Sequence, residues 1–122
     1  MARILIVDDA VFARMRCAKL LTEKGFEIDE ASNGAEALSK YQEHKPDAVL
    51  LDITMPDMDG ITALKQIIRH DPKAKVAMVS AMGQKSMVVE ALEFGARDFV
   101  MKPFDADRVM EAVGKLLTGD EN

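Results

Sequence analysis

Apolar residues follow two rhythms along this chain. Ile4-Leu5-Ile6-Val7, within residues 3–7, is an unbroken apolar run with the length and branching of a strand buried on both faces. Residues 48–51, 76–79 and 99–101 repeat the pattern. The stretches between carry helical spacing: Val11, Met15, Ala18 and Leu21, then Ile61, Leu64, Ile67 and Ile68, then Val109, Ala112, Val113, Leu116 and Leu117. These positions are expected to face the core. Residues 26–31 differ, because Phe26, Ile28 and Glu30 alternate with Glu27, Asp29 and Ala31, as in a half-wetted strand at a sheet edge. Gly25 stops the first helix, Asn33-Gly34 and Met58-Asp59-Gly60 mark the starts of later ones, and Asp71-Pro72 closes the third. The last helix is expected to end around Leu117, with residues 118–122 as a frayed tail.

Strands thus alternate with helices throughout. Buried parallel strands joined by right-handed crossovers need helices on both faces, so the α/β order predicts a doubly wound five-stranded parallel sheet in a three-layer sandwich. The expected strand order is 2-1-3-4-5, that of flavodoxin-like sheets. The 122 residues suit one domain, 1–122, with no linker, internal repeat or low-complexity tract.

Composition removes several function classes. Sixteen basic against twenty-one acidic residues leave a net charge of −5 with no basic run, which argues against nucleic acid and anionic membranes as partners. Cys17, the one cysteine, can form neither an internal disulfide nor a thiolate metal cluster. No apolar run approaches the ~20 residues of a membrane span, and the expected location is the cytoplasm.

In sheets of this kind ligands bind beyond the carboxyl ends of the strands, near the switch point between strands 1 and 3. Strand 1 runs into Asp8-Asp9, strand 3 into Asp52, strand 4 into Ser80 and strand 5 into Lys102-Pro103. Three carboxylates, a hydroxyl and an ammonium are therefore expected in one pocket. Carboxylates ~5 Å apart repel by roughly 3 kcal/mol per pair at an effective dielectric near 20, so the cluster calls for a cation or a proton. An all-oxygen donor set suits Mg²⁺, with Mn²⁺ as the alternative, and not zinc, copper or iron. Asp9 and Asp52 are the expected ligands, with Asp8 binding directly or through water and the Thr54 carbonyl completing the set. Asp52, central and at a strand tip, is best placed as a nucleophile for phosphoryl transfer, with Ser80 and Lys102 receiving the phosphoryl group.

Asp8-Asp9, the segment Leu51-Asp52-Ile53-Thr54-Met55-Pro56 with Asp59-Gly60, Ser80-Ala81, Phe99 and Lys102-Pro103-Phe104 together resemble the receiver domain of bacterial two-component response regulators. The likeness covers essentially the whole chain. Ser80-Ala81-Met82-Gly83-Gln84 and the lack of an output domain look most like stand-alone chemotaxis regulators. The resemblance implies a phosphorylation-activated switch in which Asp52 takes phosphate from a histidine kinase. It also implies Mg²⁺ on Asp8, Asp9, Asp52 and the Thr54 carbonyl, with Lys102 contacting the phosphoryl group. By the same resemblance Ser80 and Phe99 would be the switch pair, and helix 4, strand 5 and helix 5 the output surface. The implied partners are the kinase, a flagellar motor switch protein or another effector, and a phosphatase; the chain is expected to be a monomer. The family also suggests a cis peptide before Pro103. Phe99 stands where many chemotaxis members have tyrosine, so burial alone must report the switch, and Ser80 replaces the commoner threonine.

Simpler readings stand beside these. Asp9 can cap the first helix, Ser80 can end a strand, Lys102 can sit in a solvated turn, and Phe99 can be core. The methionines Met78, Met82, Met87, Met101 and Met110 are core filler or an adaptable docking surface, the former being favoured. His44 and His70, at helix ends, are explained by dipole contacts or solvent. Cys17 faces either core or solvent. Three other functions compete: a non-chemotaxis phosphorelay or phosphate sink, an aspartyl-phosphate phosphatase, and flavin or nucleotide binding. The phosphatase needs an acid two residues after the nucleophile, where Thr54 stands, and nucleotide binding needs a glycine-rich phosphate loop that the chain lacks.

Overall fold

Ten elements alternate along the chain: β1 Arg3–Val7, α1 Val11–Glu23, β2 Glu27–Ala31, α2 Gly34–His44, β3 Ala48–Asp52, α3 Gly60–His70, β4 Val76–Ser80, α4 Lys85–Glu93, β5 Asp98–Met101 and α5 Ala106–Thr118. They come from a computed structural model that describes residues 2–55 and 58–118. Pro56 of the loop after β3 and the tail beyond Thr118 lie outside the described residues. The five strands are parallel in the order β2-β1-β3-β4-β5, as the alternation predicts.

Side-chain alternation divides the core in two. Ile4, Ile6, Ala48, Leu50, Ala77 and Val79 point to the face covered by α1 and α5, where Leu21, Val109, Val113 and Leu116 meet them. Leu5, Val7, Val49, Leu51, Val76 and Met78 point the other way, onto Ala37, Tyr41, Leu64, Ile67 and Ala91 of α2, α3 and α4. This explains why β1, β3 and β4 read as continuous apolar runs: both faces are covered. Each fully buried aliphatic side chain contributes about 1.5–3 kcal/mol relative to exposure.

β2 and β5 form the sheet edges. β2 begins at Glu27, one residue later than the alternation implies, because the Phe26 amide donates to Leu21 O (3.2 Å) and closes the turn after α1. Gly25, at φ 96°, reverses the chain there, a conformation that disfavours any side chain.

The face of α1 corrects the expected one. Ala18 and Leu21 are buried with Cys17, but Val11 and Met15 are 51% and 54% exposed. β1 stops at Val7, so the first turn of α1 overhangs the carboxyl edge of the sheet and has no strand beneath it. α3 and α5 bury the expected stripes, apart from Ile68 and Leu117, which are partly buried. The methionines are split. Met78 is fully buried, Met87 and Met110 pack partly against the core, and Met82 and Met101 are exposed at 85% and 48%.

Helix starts use local chemistry that the sequence announces. Asn33 Oδ1 accepts from Glu36 N (2.8 Å) while Glu36 Oε1 accepts from Ser32 N (2.9 Å), and Asp59 Oδ1 accepts from Thr62 N (2.7 Å). Gly60 also donates to Ile53 O at 2.6 Å, which brings the start of α3 against the end of β3. A Cβ at Gly60 would lie 2.0 Å from Asp52 O and 2.7 Å from Ile53 Cα, both backbone atoms that cannot yield as a side chain does. Gly60→Ala is therefore expected to destabilise the protein by about 2–4 kcal/mol. Urea denaturation against the parent measures this.

Candidate metal and phosphoacceptor site

Backbone ladders carry the strands straight into the site. Just beyond the strand ends, Asp8 N donates to Ala31 O (3.1 Å), Ile53 N to Val79 O (3.0 Å) and Lys102 N to Ser80 O (2.7 Å). These bonds fix the positions from which Asp8, Asp52 and Lys102 extend. Asp8 and Asp52 continue the side-chain rows of Ile4-Ile6 and Ala48-Leu50, so both carboxylates emerge on the same side of the sheet.

Asp8, Asp9 and Asp52 offer carboxylate oxygens that all lie within 4.8 Å of one another. Asp8 and Asp52 are buried, and Asp9 is exposed at the rim. Lys102 Nζ stands 3.1 Å from Asp8 Oδ2 and 3.1 Å from Asp52 Oδ2, bridging the pair. The Lys102-Pro103 peptide is cis. Asp8 Oδ1 accepts from Ala10 N (2.9 Å), and Asp52 Oδ1 accepts from Thr54 N (3.3 Å). The capping alternative for Asp9 does not hold, since Ala10 is the N-cap of α1 and no side chain caps it.

Burial pushes the Asp52 carboxyl up to about 6, with the charge of Asp8 adding to it, against the opposing pull of Lys102 and the Thr54 amide. Burial by itself would lower the Lys102 ammonium, but Asp52 and Asp8 more than offset it and hold the group above the ordinary lysine range. The lysine therefore remains cationic at any physiological pH.

One ammonium cannot neutralise three carboxylates, and the remaining charge fits a divalent cation. With no nitrogen or sulfur donor in the cluster, the donor set is that of a hard ion such as Mg²⁺. Ser80 Oγ is buried and has no hydrogen-bond partner among the described residues. Such an orphaned hydroxyl is costly in a finished core, and it leaves a donor free at the end of the strand beside β3. Ser80 is the last residue of β4, one beyond Val79, the register partner of Asp52.

Three comparisons bear on this arrangement. The sequence profile of the response regulator receiver domain matches residues 4–114. The chain belongs to the response regulator receiver domain family. This receiver domain is 60% identical over 116 residues to chemotaxis protein CheY of Bacillus subtilis (94% of this chain, 97% of the relative). It is 54% identical over 115 residues to chemotaxis protein CheY of Thermotoga maritima (93% and 96%). It superposes with TM-score 0.89 and 43% identity on the CheX-CheY-BeF3-Mg²⁺ complex from Borrelia burgdorferi, covering 94% of this chain and 88% of that one. It is thus a signalling receiver domain closely related to CheY. Its strand order is already known for CheY-type domains, so that agreement is a family property. Among the described residues, no helix is long and apolar enough to cross a membrane.

Some residues that shape the site lie outside the expected set. Arg14 of α1 donates to the Asp8 carbonyl (2.7 Å) and pairs through Nε with Glu30 (3.0 Å), pinning the tip of β1. Its only signal in the sequence is a charge three residues after Val11 and four before Ala18, on an otherwise apolar stripe. Gln84 bridges two loops, and Arg108 binds the Phe99 carbonyl while lying 3.5 Å from Asp98. Phe99 is partly buried against the α2/α3/α4 side of the core. Cys17 is buried, and burial, aided by Asp8 and Glu30, pushes its thiol up to about 11, so it is an inert core group.

The raised Asp52 carboxyl makes the fold pH-sensitive. Between pH ~4 and ~6 the folded chain holds a proton that the unfolded chain has released, so the stability contributed by this proton falls as pH rises through that window. Without metal at pH 7, Asp52→Asn should be more stable than the parent by about 1–2 kcal/mol, less than the full shift implies because solvent reaches the pocket mouth. Urea denaturation at pH 4 and 7.5 should show the gap almost closed at the lower value and open at the higher, and millimolar Mg²⁺ should narrow it.

Proposed function

We propose that this receiver domain is a phosphorylation-activated chemotaxis switch in which Asp52 accepts phosphate from a histidine kinase. The observation that carries the reading is the Asp8-Asp9-Asp52 cluster bridged by Lys102, with the unpartnered Ser80 hydroxyl at the end of the neighbouring strand β4. Asp8, Asp9, Asp52 and the Thr54 carbonyl would hold Mg²⁺, which supplies charge neutralisation for the phosphoryl oxygens when bound.

A carboxylate oxygen of Asp52 attacks the phosphorus of phosphohistidine. The bond from phosphorus to the imidazole nitrogen breaks, its electron pair stays on that nitrogen, and an acyl phosphate forms on Asp52. Lys102 exchanges part of its contact with Asp52 for a phosphoryl oxygen and needs no proton transfer to do so. Ser80 donates its free hydroxyl to another phosphoryl oxygen. That bond draws the loop after β4 inward, and Phe99 turns into the space released; the two are the switch pair. Because the phosphate makes these bonds better in one arrangement of the loop, it shifts a population between two states.

The output surface is α4, β5 and α5, where Val89 and Met101 are about half exposed and give a partner apolar footholds. The partner is a flagellar motor switch protein or a comparable effector, and the resting chain acts as a cytoplasmic monomer served by a kinase and a phosphatase. An aspartyl-phosphate phosphatase is disfavoured, since the Thr54 hydroxyl offers no acid to a leaving group and is already bonded to Gln84.

With Mg²⁺ and acetyl phosphate or phosphoramidate, the protein should gain one acid-stable, base-labile phosphoryl group. Asp52→Asn, or chelation of the metal, should abolish it, as intact-mass measurement reads directly. Lys102→Ala should load at least about tenfold more slowly and fail to bind a motor-switch peptide in the presence of beryllofluoride. Peptide binding equal to the parent's would remove Lys102 from the switch.

A further inference from the structure

Gln84 precedes α4 at its N-cap position, yet its side chain does not cap that helix. Its Oε1 accepts from Ala81 N (2.7 Å), and its Nε2 donates to Thr54 Oγ1. One amide thus ties the loop after β4 to the loop after β3 across the mouth of the pocket. Gly83 makes this closure feasible: at φ 90° it turns the chain back so that Gln84 faces Ala81 and Thr54. The far end of the bridge reaches the residue whose own amide donates to Asp52 Oδ1.

The near end matters more. Ala81 directly follows Ser80, so the end of β4, the strand paired with β3, carries two adjacent donors, the Ser80 hydroxyl and the Ala81 N–H. The hydroxyl has no partner, whereas the amide is held by Gln84. A phosphoryl group on Asp52 brings three acceptor oxygens to these donors and meets a competitor at the second.

We propose that Gln84 is a positioning residue that latches the β4–α4 loop across the phosphoacceptor pocket in the resting state and must release the Ala81 amide when Asp52 is phosphorylated. This rests on the phosphoacceptor reading of Asp52. The latch belongs to the unphosphorylated form, so removing it shifts the population toward the form that binds the phosphoryl group. Both bonds lie near the surface, where one neutral hydrogen bond is worth a modest factor in an equilibrium.

Beryllofluoride titration in Mg²⁺ tests this with Gln84→Ala, Thr54→Val and the double variant. Thr54→Val keeps the backbone carbonyl and removes only the hydroxyl. Gln84→Ala should bind beryllofluoride roughly three- to tenfold more tightly than the parent, Thr54→Val should shift in the same direction, and the double variant should add little to Gln84→Ala. In the metal-free, unmodified protein, the Ala81 amide proton should move upfield in Gln84→Ala, with the melting temperature nearly unchanged. Unchanged affinity in Gln84→Ala, additive effects in the double variant or an unmoved Ala81 resonance would each overturn the latch. If the parent takes up neither beryllofluoride nor phosphate, the phosphoacceptor reading fails and the latch falls with it. If the parent takes them up and Gln84→Ala behaves identically, only the latch falls.

Discussion

Mutual repulsion among Asp8, Asp9 and Asp52 is the constraint around which the carboxyl end of this sheet is organised. A fold left to maximise its stability would separate these groups or replace one of them. Here they are held within 4.8 Å by the backbone ladder that ends β1 and β3, with one ammonium bridging the two buried members. The sheet supplies the rigidity and Lys102 part of the neutralisation. On the function proposed above, the deficit that remains would give the pocket its affinity for a divalent cation and then for a phosphoryl group. The raised Asp52 carboxyl and the unpartnered Ser80 hydroxyl are two signs of one incomplete site.

Rigid and adjustable parts are placed differently around that deficit. The acids stand at the tips of β1 and β3, interior strands whose neighbours on both sides and both faces are packed. Gly60, pressed against the backbone of Asp52 and Ile53, keeps the start of α3 closed on β3. The donors proposed to respond to a phosphate sit on the β4 side instead, where the turn through Gly83 leads into a helix whose N-cap, Gln84, makes no side-chain cap bond. A few hydrogen bonds can re-form there without disturbing the core, as a two-state element requires. Arg108, bound to the Phe99 carbonyl and close to Asp98, ties β5 to α5, so the surface proposed as the output is joined in one piece.

Much of this was legible from residue order. The unbroken apolar runs named the strands because burial on both faces leaves no polar alternation, and strand alternation with helices determined the layered parallel architecture. The residues ending those runs named the site, since strand tips in such sheets converge whatever the loops do. Asp8, Asp9, Asp52, Ser80 and Lys102 were therefore readable as a set.

What the tertiary structure decided concerns groups whose role depends on what lies beneath or opposite them. Val11 and Met15 have helical spacing, yet only the overhang of α1 beyond β1 shows that they meet solvent. Asp9 could also be read as a helix cap until Ala10 proved to occupy that position. Arg14 and Gln84 carry no pattern of their own, because their partners come from other strands and loops and are defined only once the sheet has formed. Periodicity reports how a residue relates to its own element. Contacts between loops that are distant in sequence depend on how whole elements are set against one another, and residue order alone does not contain that.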